Sequence, residues 1–253
     1  MNQIDLYFIG KHNIMQTILG LYNSGVKKER PLILDCGCGR GTYAYKLSEE
    51  YVGLDKDFSS IKLAHNIHPY GMFVVGDATK LPFENRVFDC AICSEVLEHI
   101  SDDKAVLVEL AKVTKVKGRL IVSVPNIECK NVFVNWQRSL IDTEVGHQRR
   151  GYSVLRISKL IVDSGFKIQK NRYDCGPVTA VVECCMIKLG GIFEYKPSSL
   201  GNLFEGKKSL LVKLAIKIYK SLFPLIISFT YLDKLLPRRY KSNIVIMAEK
   251  QSF

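Results

Sequence analysis

Histidine is scarce: five residues in a chain of 253, so candidates for a general base at neutral pH are few. The opening residues, MNQIDLYFIG, lack a basic patch followed by an apolar run and a small-residue cleavage motif, so a secretory signal is not expected. The uncharged run 221–232 is about a dozen residues, short of the roughly 20 that a spanning helix requires. No internal repeat or low-complexity tract is present. The eight cysteines, at 36, 38, 90, 93, 129, 175, 184 and 185, are scattered and do not form a disulfide framework, which points to reduced thiols in a cytosolic protein. Cys90 and Cys93 have C-x-x-C spacing, but on a strand three residues apart means opposite faces. Cys36 and Cys38 are too close for ordinary zinc spacing. Both pairs read as small buried apolar residues.

What the chain does have is basic charge. The formal net charge is +11, and it is concentrated: residues 186–241 carry eleven lysines or arginines against three acids.

Residues 32–124 alternate short β-rich runs with helical patterns. LILDC (32–36), YVGLD (51–55), MFVV (72–75), FDCAIC (88–93) and RLIVSV (119–124) are rich in Val, Ile and Leu, as strands buried on both faces are. Helices are expected over 43–49, over 58–66 with Asp57 as N-cap, and over 102–116 ending before Gly118. An amphipathic helix over 153–164 and strands over 166–173 and 243–250 follow, with a helix near 7–24 at the start. The alternation implies right-handed crossovers and an α/β fold, a doubly wound, mostly parallel sheet. The domain reading is an N-terminal helical segment (1–30), a core of 31–176 plus 242–253, and a basic helical insertion (177–241) before the last strand.

Ligands of such sheets bind beyond the carboxyl ends of the strands. The first of these ends reads DCGCGRGT (35–42). A Walker loop needs Gly-Lys before its Ser or Thr, and no lysine precedes Thr42. In a G-x-G-x-x-G dinucleotide fingerprint starting at Gly37 and Gly39, the third glycine would fall at Thr42. What remains is D-x-G-x-G-x-G, an acid followed by open backbone. Asp55 closes the second strand, Asp77 the third in GDATKLPF, and SEVLEHI (94–100) follows the fourth.

This ordered set, over about residues 31–173, resembles the class I S-adenosylmethionine-dependent methyltransferases, especially the small-molecule (type 11, ubiquinone-type) group, which implies a seven-stranded Rossmann-like sheet. A cationic sulfonium with an amino acid tail calls for acids and open backbone rather than a phosphate cradle. The resemblance places Gly37 and Gly39 under the methionine and ribose, and Asp35 at the methionine ammonium. It places Asp55 at the ribose, Asp77 with Ala78 at the adenine, and Ser94 along the methionine. For a hydroxyl acceptor a base is needed, and His99 and His147 are the candidates. Glu95, Glu98 and His99 would share a face on a helical turn and could hold Mg²⁺, as some relatives' ExxEH clusters do; alternatively Glu98 and His99 stabilise the turn.

GHQRRGYSVLRISKLIVDSGF (146–166) is similar to a segment of the same family. Within and before it, Arg149, Tyr152 and Trp136 could contact an acceptor, or Arg149 and Tyr152 could pin the loop against the sheet. In 207–241, Leu210, Leu214, Ile218 and Leu222 recur every four residues and Lys213, Lys217 and Lys220 mark another side. Such a segment could lie on an anionic membrane surface, making the protein peripheral, or pack as a lid with its lysines in solvent. The expected activity is methyl transfer, by O-methylation, to a small or lipid-linked acceptor such as a prenylated ring or lipid-carried sugar. RNA is the rival acceptor, but the basic segment is aliphatic and lacks aromatic platforms spaced for bases, which disfavours nucleic acid. A non-catalytic cofactor-binding subunit is the third reading.

Overall fold

A computed structural model of the chain describes residues 9–25, 30–47, 50–132, 134, 148–182, 221, 225–226 and 228–252. Among these described residues, seven strands form one sheet: β1 (Ile33–Cys36), β2 (Tyr51–Asp55), β3 (Met72–Val75), β4 (Phe88–Ser94), β5 (Thr114–Pro125), β6 (Phe166–Asp174) and β7 (Asn243–Lys250). Their order is β3-β2-β1-β4-β5-β7-β6. β1 to β5 are parallel to one another, and β7 runs antiparallel to both β5 and β6. The order therefore reverses between β1 and β4, the switch point beyond whose carboxyl ends ligands of such sheets bind.

Two apolar layers hold helices against the two faces. On one side Leu34, Cys36, Ala91, Cys93, Leu120 and Val122 pack with Val106, Leu107 and Leu110 of α4 (Asp103–Val113) and Ile157 and Ile161 of α5 (Val154–Asp163). On the other, Ile33, Tyr51, Cys90, Ile92 and Val245 pack with Ile14, Met15, Ile18 and Leu21 of α1 (Ile9–Gly25) and with Ala44 and Leu47 of α2 (Ala44–Leu47). Cys90 and Cys93 thus face opposite layers, as the two-residue strand period requires. The N-terminal helix α1 is a packing element of the sheet, not a free arm.

Local chemistry sets the helix starts. Asp57 accepts the backbone N–H groups of Ser59 and Ser60 at the head of α3 (Phe58–Ile67). Asp102 does the same for Ala105 at α4, and Ser153 for Arg156 at α5. Helix α4 is shorter than expected. Residues 114–116 leave it for β5, where Thr114 pairs with Phe88, and β-branched Thr114 and Val116 favour the extended backbone. Gly118 consequently lies within β5 behind Lys117, whose φ is +64°, rather than capping a helix.

The 177–241 stretch is tied to the core at both ends. Residues 177–182 are helical, and the buried Asp233 carboxylate accepts the N–H groups of Gly176, Val178 and Thr179 and the Thr179 hydroxyl, at 2.7 to 3.0 Å. Asn13 of α1 donates to both Thr179 and Thr230 at 3.1 Å. Among the described residues, no helix is long and apolar enough to cross a membrane.

Candidate functional site

The glycine loop leaves β1 through three left-handed residues: φ is +78° at Gly37, +53° at Gly39 and +74° at Gly41. Gly37 is also sterically confined. A Cβ there would lie 2.2 Å from Cγ2 of Val96, closer than any real contact. The loop is fixed by backbone bonds from Gly37 and Cys38 to the Leu54 carbonyl, at 2.7 and 3.0 Å.

Asp35 and Asp55 flank this loop in different environments. Asp35 is buried, and its Oδ2 accepts the Tyr51 hydroxyl at 2.5 Å. Burial pushes its carboxyl up to about 7; the Tyr51 hydrogen bond opposes this, and the nearby Asp55 charge adds to it. The Tyr51 hydroxyl is itself pushed well up by burial and then by the Asp35 charge. Asp55, half-exposed, takes the Gly39 N–H on Oδ2 and the Asp57 N–H on Oδ1, both at 2.9 Å. Each oxygen retains lone-pair capacity for a ligand hydroxyl.

Asp77 is exposed at the end of β3. Its Oδ1 accepts the N–H and hydroxyl of Thr79, each at 2.8 Å, and these bonds hold its carboxyl below the usual range. Ala78 beside it is buried. At the end of β4, Ser94 Oγ accepts the Tyr43 hydroxyl at 3.1 Å. The structure therefore sets Asp35, Gly37, Gly39, Asp55 and Ser94 around the carboxyl ends of three adjacent strands, β2, β1 and β4, with Asp77 and Ala78 beyond β3. Tyr43, Tyr51 and Val96 join them, and sequence reasoning did not single them out. One signal was available for Tyr51: the two-residue strand period puts Tyr51, Gly53 and Asp55 on one face.

Of the two alternatives for Glu95, Glu98 and His99, the helical turn that would present all three to an ion is not formed. The expectation of an ion held on a helical turn requires i, i+3 and i+4 on one α-helical face. Glu95 instead has φ +56°, and Leu97–His99 form a 3-10 turn, which breaks that alignment. Glu95 Oε1 accepts from Ser123 Oγ at 2.8 Å and Asn243 Nδ2 at 2.9 Å, so it braces β5 and β7. Glu98 is buried and His99 half-buried. Among the described residues, no group of three or more His, Cys, Asp or Glu is placed to hold a metal ion. The donor set does not fit Mg²⁺.

Arg149 and Tyr152 have the contacts of a pin. Arg149 donates to the Leu97 and Ser101 carbonyls, to Asp103 and to the Tyr152 hydroxyl, at 2.6 to 3.1 Å. Tyr152 is fully buried, with its hydroxyl at Asp103 and the Leu97 carbonyl. Gly151 permits the approach: its φ is +134°, and a Cβ would meet the Pro125 carbonyl oxygen at 2.4 Å. The Gln148 and Arg149 N–H groups donate to the Glu98 carbonyl, which brings the returning loop onto the turn that carries His99. Trp136 and His147 lie outside the described residues, as does most of 207–241.

A family described as a methyltransferase domain matches residues 34–122. An uncharacterized protein of Methanocaldococcus jannaschii is 34% identical over 215 residues, covering 81% of this chain and 86% of its own length. A demethylmenaquinone methyltransferase of Renibacterium salmoninarum is 33% identical over 94 residues; the match covers 36% of this chain and 40% of that enzyme, less than half of it. Among solved structures, the YcgJ protein of Bacillus subtilis has a TM-score of 0.60 at 18% identity, covering 94% of this chain and 100% of that one. At that identity the likeness is one of fold.

Proposed function

The chain belongs to the class I S-adenosylmethionine-dependent methyltransferases, and we propose that its acceptor is a small or lipid-linked molecule methylated on oxygen. The observation that carries the cofactor half of this reading is the pairing of two strand-end acids across a left-handed glycine loop. Asp55, braced by the Gly39 and Asp57 N–H groups, offers a fixed pair of oxygens to ribose hydroxyls. Asp35, under the same loop, offers a buried carboxylate to the methionine ammonium, and charge pairing there offsets the cost of its burial. Asp77 and Ala78 flank the adenine, and Ser94, held by Tyr43, lines the methionine.

Bound S-adenosylmethionine supplies an activated methyl group. The protein orients the acceptor in line with it, excludes water and takes up a proton where the acceptor is a hydroxyl. His99 and His147 are the residues we assign to that proton. Arg149 and Tyr152 hold the His99 turn in register with the end of β5, and Trp136 belongs to the acceptor side. Support for an apolar acceptor comes from the side chains left exposed at 225–235, which fit a peripheral membrane enzyme better than one acting on RNA.

The test is incubation with methyl-labelled S-adenosylmethionine and host extract, followed by partition into organic, aqueous and nucleic-acid fractions. Label is expected in the organic phase. Label in the nucleic-acid fraction would replace this reading with an RNA acceptor, label confined to water-soluble molecules would remove the lipid link, and absence of any transfer would leave a cofactor-binding subunit.

A further inference from the structure

The segment at 228–239, with Leu225, has its polarity reversed. The side chains it turns inward are polar: Thr230 and Asp233 are 1% and 2% exposed and join the buried hydrogen bonds to Asn13, Gly176, Val178 and Thr179. The side chains it turns outward are apolar: Leu235 is 81% exposed, Leu225 57%, Phe229 55% and Leu232 49%. A segment folding for water alone would place these the other way round. Asp233 and Thr230 anchor it from beneath, so the apolar side is held facing outward.

The exposed charge along this segment has one sign. Lys234, Arg238 and Arg239 are exposed, and Asp233, buried, is the sole acid in the sequence between Glu205 and Glu249. Aromatic rings steady all three cations: Lys234 Nζ lies 4.1 Å from the centre of the Tyr231 ring, the Arg238 guanidinium 5.5 Å from that of Tyr173, and the Arg239 guanidinium 4.9 Å from that of Tyr240.

We propose that this face docks the protein onto an anionic lipid bilayer, with Leu225, Phe229, Leu232 and Leu235 entering the headgroup–acyl boundary and Lys234, Arg238 and Arg239 resting on anionic headgroups. Apolar insertion and basic charge are the two components of interfacial binding, and the cationic rim favours a negative lipid surface over a neutral one. The proposal gives the lipid-linked acceptor its location, and that acceptor reading can fail without it: vesicle binding needs no turnover.

The experiment is sedimentation of the full chain with phosphatidylcholine vesicles, with and without about one third phosphatidylglycerol, at low and high salt. Binding to anionic vesicles is expected, roughly tenfold or more weaker on neutral ones and weakened by salt. Phe229→Ser/Leu235→Ser should lose binding about tenfold or more, and Arg238→Gln/Arg239→Gln should lose the preference for anionic lipid. S-adenosylmethionine affinity, unchanged in both variants, shows that the fold is intact. Equal binding by wild type and Phe229→Ser/Leu235→Ser, or none to anionic vesicles, overturns the proposal. So does a lipid-free dimer that Phe229→Ser/Leu235→Ser dissociates, which would assign the face to a second copy of this chain.

Discussion

The Tyr51 hydroxyl donates a 2.5 Å hydrogen bond to the Asp35 carboxylate across the β1–β2 pair, and both residues are buried. The bond stabilises the charged form of a carboxyl that burial has raised to about 7. Since the methionine ammonium needs that charge, S-adenosylmethionine affinity should fall as pH drops below about 7. Folding stability has the opposite sign. The folded chain holds the proton of this raised carboxyl more tightly than the unfolded chain does, so its contribution to stability is full below the ordinary value near 4 and lost as pH rises through about 7. Tyr51→Phe removes the opposing hydrogen bond and should weaken S-adenosylmethionine binding near neutrality by roughly 10-fold or more, given ~1.5–3 kcal/mol for a bond to a charged group. Calorimetric titration of both proteins from pH 6 to 8 checks this.

Gly37→Ala should cost more than backbone strain alone. The left-handed conformation carries a penalty of roughly 1–2 kcal/mol for an L-residue, and the new Cβ meets Val96 at 2.2 Å. Urea unfolding should show Gly37→Ala/Val96→Ala less disturbed than Gly37→Ala, relative to Val96→Ala, by the steric share, with the backbone share remaining.

Arg149→Lys should lower turnover while S-adenosylmethionine affinity stays within a few fold. A lysine cannot reproduce the planar fork that reaches the carbonyls of Leu97 and Ser101 and the Asp103 carboxylate together, so the turn carrying His99 loosens. Steady-state kinetics beside cofactor titration separates the two effects; equal loss of both would show that the turn serves the cofactor.

Asp233→Ala strands three backbone donors and a hydroxyl. A loss of about 3 kcal/mol is expected, read as a drop of roughly 6–12 °C in thermal midpoint for a chain of this size. Asp233→Asn, which keeps an acceptor oxygen, should fall between.

The parallel sheet was legible because each of its strands is a short apolar run punctuated by a turn: β2, β3 and β7 have the bounds that YVGLD, MFVV and NIVIMAEK suggest. The strand-end acids were legible for the same reason. Tyr51's role was not, since it depends on β1–β2 register, with Asp35 opposite Gly53, and no single sequence states register. The placement of Glu95 was not legible either, because the positive φ at that residue turns it away from the helical alignment its spacing suggests. The Asp233 contacts span more than fifty residues, and nothing local to 231–235 announces them.

The most direct test of the site is titration of the wild type, Asp35→Asn and Asp55→Asn with S-adenosylmethionine and with 5′-methylthioadenosine, which lacks the amino acid tail. Asp35→Asn should weaken S-adenosylmethionine by about tenfold or more and leave methylthioadenosine unchanged; Asp55→Asn should weaken both. Wild-type affinities in both variants would contradict the account.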